Sequence, residues 1–306
     1  MSNKPFYYGG QAVIEGVMIR GRKGLALAVR GPDGQIKTLV QPLPSLYTGP
    51  LREVPLGRGV IVLVETLALG VRALMDSANL ALGEEKEEIS PVALWGMLAL
   101  AMVLGVVFFF LGPLFLMSWL GIPIPWVSNV LEGLLRLALF LLYLGAISFL
   151  PEVKRLFAYH GAEHKVINAY EAGVPLEVER IASFSTAHVR CGTAFLLVVL
   201  VLALVAFALV GKPAFWLQVL SRIALLPVLA AVGYEILRLS AAHGHRVWVR
   251  ALLVPSLALQ SLTTREPDQG QIEVALAALN AALRADGVLA EEVVQEEGES
   301  SSPVGS

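Results

Sequence analysis

Two long stretches of this chain carry no charge, and they limit its fold more than any other feature. No Asp, Glu, Lys or Arg occurs between Glu88 and Glu132, and none between Arg190 and Lys212. An apolar run of about 20 residues can cross a bilayer as a helix, whose internal hydrogen bonds leave no backbone group unmet in hydrocarbon. Only 16% of the 306 residues are charged, against about 25% in an ordinary soluble domain. The expected fold class is therefore an α-helical polytopic membrane protein of about four transmembrane helices, with a cytoplasmic α+β portion.

The spans are expected at about 92–119, 127–150, 193–211 and 216–239. Between the first two, Gly121-Ile-Pro-Ile-Pro125 makes a turn, because two prolines cannot continue a helix. Glu132 and Arg136 stand i,i+4 in the second span and can pair. Arg222 and Glu235 are placed near the ends of the fourth, where long side chains snorkel. Ala251 to Leu262 is apolar but short and holds Pro255, so it reads as interfacial or packed.

The domain reading follows. Residues 1–90 form a cytoplasmic N-terminal α+β region, and 91–150 hold the first two spans. Residues 151–192 form a cytoplasmic loop, 193–239 hold spans three and four, and 240–287 form a cytoplasmic C-terminal region. A disordered acidic tail, 288–306, closes the chain. In the first region, Leu25–Arg30 and Gln35–Gln41 flank Gly31-Pro32-Asp33-Gly34, a turn sequence between two strands. An earlier strand is expected within Gln11–Arg20. Gly59–Leu82, broken by Glu65, Arg72 and Asp76, reads as one or two amphipathic helices, and Glu84–Glu88 as a charged link. Gln271–Leu283 has helical spacing.

Loop charge sets orientation. Lys and Arg concentrate in the N-terminal region, in 151–192 and after Arg238. We therefore expect a multi-pass protein of the bacterial cytoplasmic membrane with both termini cytoplasmic and membrane lipids as neighbours. The sequence MSNKPFYYGG shows no apolar segment after Lys4, so the spans themselves are expected to direct insertion. The tail carries five glutamates, leaving 23 basic and 20 acidic residues elsewhere (25 − 5). That balance gives no basis for nucleic-acid binding. The single cysteine, Cys191, excludes an intramolecular disulfide and fits a reducing compartment.

The chemistry concentrates in Tyr159-His160-Gly161-Ala162-Glu163-His164. Two of only five histidines stand here at i and i+4, on one helical face, with a glutamate before the second. His-x-x-Glu-His is the inverted zincin pattern, in which the glutamate is the general base. Pro151 to Ala172 reads as one helix, started by proline and ended by Gly173. On it His160, Glu163, His164, Ile167 and Glu171 share an arc about 100° wide. His188 and Cys191 stand at the far end of the same loop. Imidazole and thiolate are good zinc ligands, so the candidate metal ligands are His160, His164, His188 and Cys191, with Glu163 as catalytic base. Glu171 lies about 10.5 Å up the axis from His164, which suits a supporting or separate role. The competing reading is that both imidazoles simply bond to carboxylates and backbone in a polar cap. His243-Gly-His245 reads as an interfacial histidine pair.

The chain resembles the YqhQ-like bacterial membrane family, a domain-of-unknown-function family (DUF1385). The blocks that carry the resemblance are Gly9–Gly21 (GGQAVIEGVMIRG), Gly59–Ala78, Tyr159–Glu171 (YHGAEHKVINAYE), His188–Phe195 (HVRCGTAF), Leu262–Asp268 (LTTREPD) and Gln271-Ile-Glu-Val. Val189 stands where the family usually has proline, which removes a turn residue and keeps both candidate ligands. The resemblance implies a metal-dependent membrane protein and supplies no reaction. In the first block Glu15 and Arg20 are candidates to support the site around His160; the alternative is a glycine-punctuated strand packed on the loop.

The leading expectation is a zinc-dependent, hydrolase-like protein at the cytoplasmic membrane face, with substrate and protein partners open. A non-catalytic scaffold or assembly factor with a structural polar or metal cluster is the alternative. A small transporter is third, for which a homo-oligomer would enlarge the unit.

Overall fold

The computed structural model describes residues 6–44, 47, 49, 54, 57–82, 90–211, 213–243 and 246–289. The charged link Glu84–Glu88, His245 and the acidic tail beyond residue 289 lie outside them. Strands β1 (Gly9–Val13), β2 (Gly16–Arg20), β3 (Gly24–Arg30) and β4 (Ile36–Pro42) form an antiparallel sheet in sequence order. The expected hairpin is β3–β4, with Ala28 opposite Thr38 and Gly34 at φ 78° in the turn. The expected earlier strand is in fact two. Ile14 and Glu15 turn between them, because Glu15 adopts a left-handed φ of 53°. That costs a non-glycine residue about 1–2 kcal/mol. Arg155 and the Tyr159 hydroxyl hold its carboxylate from outside the sheet.

The sheet is covered on both faces, and strand alternation divides the labour. Val17, Ile19, Ala26 and Ala28 face a core shared with helices α5 (Pro151–Glu171), α6 (Val178–Ala182) and α11 (Gln269–Ala285). Val13, Met18, Leu25, Leu27 and Val29 face Leu69 and Ala73 of α1 (Gly57–Leu82). The segment expected as one or two amphipathic helices is this single helix, fixed to β2 by Arg20–Glu65 at 2.9 Å. A capping box starts α11: Asp268 accepts from the Gln271 N–H at 2.8 Å while Gln271 Oε1 accepts from the Asp268 N–H at 3.0 Å, satisfying two helix-end donors. At its other end Asp286 accepts from the Arg22 and Lys23 N–H groups at 2.7 and 2.9 Å, tying α11 to the β2–β3 turn.

Three helical stretches among the described residues are long and apolar enough to cross a membrane: Trp95–Trp119, Pro125–Ile147 (α4) and Gly192–Val210 (α7). The first comprises α2 (Pro91–Val106), a π-helical turn over Val107–Leu111 and α3 (Gly112–Trp119). A fourth stretch qualifies if α8 (Phe215–Ala224) and α9 (Leu226–Ala242), bent by 40° at Leu225, are taken together. Within the most apolar part of the three single stretches only 17–22% of the residues are buried. Trp95, Met102, Leu142, Leu209 and others lie exposed, the kind of apolar surface that marks a membrane or partner contact. The Ala251–Leu262 segment lies inside α10 (Val247–Thr263), which continues through Pro255.

The structure corrects the reading of Arg222. Arg222 is 0% exposed. Its Nη2 and Nε reach the two Glu132 oxygens at 2.8 and 3.2 Å, while Arg136 Nη2 reaches Glu132 Oε1 at 2.7 Å. A short helix brings Arg222 inward rather than letting it snorkel. Glu235 pairs with Arg58 of α1 at 2.6 and 2.5 Å. Glu132 thus bridges two buried guanidiniums. Glu132→Leu is expected to cost about 3–5 kcal/mol, because removing one partner leaves buried charge unpaired. Glu177→Ala, which breaks an exposed pair with Arg180, is expected to cost under about 1 kcal/mol. Thermal unfolding of both variants in detergent checks the contrast.

Candidate metal centre

Helix α5 is the platform of the site. Pro151 occupies its first turn and Leu150 its N-cap, where a missing N–H costs nothing. Ala172 closes the other end, followed by Gly173 at φ 68°. Tyr159, Ala162, Val166 and Ala169 anchor it in the sheet core. Burial, helped by the Glu15 carboxylate, pushes the Tyr159 phenol up to about 12.

One close approach decides which groups meet α5. The chain leaving α10 crosses the helix at Gly161, where an added Cβ would stand 2.1 Å from the Arg265 carbonyl oxygen. The Arg265 N–H donates to the Phe157 carbonyl at 2.9 Å. This crossing brings the Thr263 carbonyl to 2.8 Å from His160 Nδ1. From the other side, the Thr186 carbonyl lies 2.5 Å from His164 Nδ1. A carbonyl can only accept, so in each neutral imidazole Nδ1 carries the proton and Nε2 presents its lone pair. Metal-ligating histidines are commonly oriented in this way by the hydrogen bond at the other ring nitrogen.

Cys191 completes the set. One ligand atom from each of His160, His164 and Cys191 falls within 4.8 Å of the others. His160 Nε2 stands 3.3 Å from Cys191 Sγ. Tetrahedral zinc with bonds of about 2.0 Å to nitrogen and about 2.3 Å to sulfur places the two donors about 3.5 Å apart. Cys191 is also the N-cap of α7 and accepts from the Thr193 N–H at 3.4 Å. The positive end of a 19-residue helix therefore faces the sulfur, which favours negative charge there. The thiol is 4% exposed and His164 2%, so a cation here would be largely shielded from solvent.

His188 is brought near but not into this set. Its ring centroid is 5.5 Å from that of His164, and Nε2 points to Glu171 Oε2 at 3.7 Å, beyond hydrogen-bond length. Among the described residues His188 Nε2 has no hydrogen-bond partner, although it is buried. Gln260 fixes the His188 backbone, accepting from its N–H at 2.8 Å and donating to its carbonyl at 2.7 Å. The His188–Cys191 turn closes through a Cys191 N–H to His188 carbonyl bond of 3.4 Å, so Val189 forms it without a proline.

The remaining candidates sit apart. Glu163 is 6% exposed, and its Oε1 accepts from the Gly10 N–H of β1 at 3.0 Å. The base expected to face the histidines thus has one oxygen committed to the sheet, because its position on α5 is turned about 100° from His164. Glu171 binds Arg190 and stands beside His188. Burial opposes its ionisation, but His188 and Arg190 outweigh burial and hold its carboxyl below the usual range. Glu15 and Arg20 bond to Arg155 and Glu65, so the contacts they make are those of a strand packed on the loop and α1. The residues that sequence reasoning missed are Thr186 and Thr263. They act through carbonyl oxygens, which every residue has, and only the block Leu262–Asp268 hinted at the second.

The family model described as "Protein of unknown function (DUF1385)" matches residues 54–285. The chain is 35% identical over 303 residues to "Uncharacterized protein YqhQ" of Bacillus subtilis (strain 168), covering 93% of this chain and 94% of that one. No solved structure matches.

Gly161→Ala is expected to destabilise the fold by about 1–3 kcal/mol, since forcing apart two backbones exceeds the gain in helix propensity. Gly145→Ala, in open space, is the control. Melting temperatures in detergent should fall for the first and hold or rise for the second.

Proposed function

The chain belongs to the DUF1385 family, and we propose that it is an integral protein of the bacterial cytoplasmic membrane that holds one zinc ion at the cytoplasmic face. His160, His164 and Cys191 are the ligands. The observation that carries this reading is the pair of carbonyl locks at Thr263 and Thr186, which leave each Nε2 as the free lone pair, with His160 Nε2 3.3 Å from Cys191 Sγ and one ligand atom of each of the three residues within 4.8 Å of the others. In the competing polar-cap reading the same locks would satisfy the histidines, but nothing would then require a thiol beside two imidazole lone pairs.

Packing supports a single side of the membrane for the segments around the apolar helices. The sheet, α5 and α11 share one core, so the segments before, between and after the apolar helices occupy one side. That needs an even number of crossings in each interval. α2–α3 with α4 supply two, and α7 supplies two only if the bent α8–α9 pair crosses back. Four crossings are therefore favoured over three. Lys and Arg on the shared side support a cytoplasmic placement.

Three protein ligands leave a coordination position for substrate or water, the composition of catalytic rather than structural zinc. A bound zinc would supply Lewis acidity at the membrane face. The chain's own residues do the rest. Thr263 and Thr186 hold the imidazoles, and α7 presents its N-terminus to the sulfur. Glu171 with Arg190 keeps a charged wall beside His188. Glu163 fastens β1 to the site through Oε1, and a role as base falls to its other oxygen. The second reading is a scaffold whose site is closed by four ligands, and the unpartnered Nε2 of His188 is the observation that favours it.

Elemental analysis of purified protein should find about one zinc per chain in wild type, in the manner of other three- or four-ligand sites. His164→Ala and Cys191→Ser should carry almost none. Wild type without stoichiometric metal ends the zinc reading. Retention of zinc in His188→Ala supports the open, catalytic site; its loss supports the scaffold. Glu163→Gln keeps an acceptor for the Gly10 N–H, so it should fold and bind zinc. Loss of cellular function in that variant would favour catalysis.

A further inference from the structure

Among the described residues, the apolar bundle encloses more positive than negative charge. Glu132, Arg136 and Arg222 are each at most 1% exposed. Glu235 and Arg58 form their own pair. The Glu132 cluster is therefore left with two guanidiniums, one carboxylate and a net charge of +1. Buried charge that is not balanced is strongly disfavoured.

The donor accounting shows where the imbalance is directed. Arg222 spends Nε and Nη2 on Glu132, Nη2 also on Asn129 Oδ1 at 3.3 Å, and Nη1 on Ser221 at 3.2 Å. Glu132 has both oxygens occupied by guanidinium groups. Arg136 spends Nη2 on Glu132 and Nε on the Phe109 carbonyl at 3.0 Å. Arg136 Nη1 is buried and has no hydrogen-bond partner among the described residues. Phe110 and Phe207 lie 4.9 and 5.2 Å from the Arg136 guanidinium. Such rings cover the faces of the cation, whereas the Nη1 hydrogens lie in its plane and are left unmet.

The backbone is irregular beside this group. Pro113 has no N–H to give the Phe109 carbonyl four residues back. The chain passes through a π-helical turn over Val107–Leu111, and the released carbonyl accepts from Arg136. Arg222 stands three residues before the bend at Leu225, which precedes Pro227. π-turns and broken apolar helices recur where a buried group is served.

We propose that the helix bundle binds one small monovalent anion, of halide size, on Arg136 Nη1. A single negative charge neutralises the cluster, whereas a dianion would reverse its sign. The site is separate from the zinc centre and does not depend on it.

The test uses full-length protein purified in detergent with gluconate as the only anion, titrated with chloride at constant ionic strength. Equilibrium dialysis with radioactive chloride should show saturable binding of about one ion per chain, the number that balances the cluster, with a rise in melting temperature over the same range. Arg136→Gln leaves the neutral Glu132–Arg222 pair and should lose both effects. Arg136→Lys keeps the charge but not the fork, and should bind at least about tenfold more weakly. His164→Ala should bind chloride as wild type does, so failure of the zinc reading leaves this result untouched. Absence of saturable binding in folded wild type overturns the proposal, as does equal binding by wild type and Arg136→Lys. Native mass spectrometry supplies the remaining arm. An anionic lipid retained by wild type, lost in Arg136→Gln and not displaced by chloride would make a lipid headgroup the occupant and overturn the small anion.

Discussion

The crossing of α5 by the chain between α10 and α11 is the contact on which the arrangement of this protein depends. At Gly161 there is room for the Arg265 carbonyl and for nothing larger than a hydrogen on the helix. The crossing joins a segment that follows the apolar helices to one that lies between them. The sheet core joins both to strands that precede them. Three distant parts of the sequence are thereby fixed in one body, and the carbonyl of Thr263 is delivered to His160 as a by-product of that packing.

Two charge problems are solved differently in the two halves. Around the sheet, ion pairs connect elements at the surface of the core: Arg20 with Glu65, Arg155 with Glu15, Arg30 with Glu273. The last two are partly exposed and serve more to set the register of packing than to stabilise, whereas the Glu65 carboxylate is buried. Within the apolar helices Glu132 holds two arginines at once, and every polar neighbour matters because little water is at hand. Asn129 donates to the Phe207 and Gly211 carbonyls while accepting from Arg222. The end of α7 and the buried cation are thus linked by one amide.

Much of the scaffold was legible. The hairpin β3–β4 follows from Gly31-Pro32-Asp33-Gly34, and the bounds of α5 follow from Pro151 and Gly173. His160, His164 and Cys191 were named from residue type and spacing, and the fold brings them within 4.8 Å. Other readings were altered by the fold for a shared reason. Glu163 is adjacent to His164 in sequence, yet its carboxylate serves β1, because neighbours on a helix point about 100° apart. Arg222 was read as a span-end residue, but the bend at Leu225 carries it inward to Glu132. His188 shares a loop with Cys191 but is held by Gln260 beside Glu171.

The sequence alone determined the apolar runs, the strand and helix periods and the residue types able to hold a metal. These are local properties, set by a few neighbouring side chains and by solvation. Only the tertiary structure decided which carbonyls lock the imidazoles, that Glu163 faces the sheet, and that two arginines share one glutamate. A backbone carbonyl is the same in every residue, and burial depends on what lies across the fold. Such choices come from the path of the chain, and they enter when Gly161 lets two backbones touch.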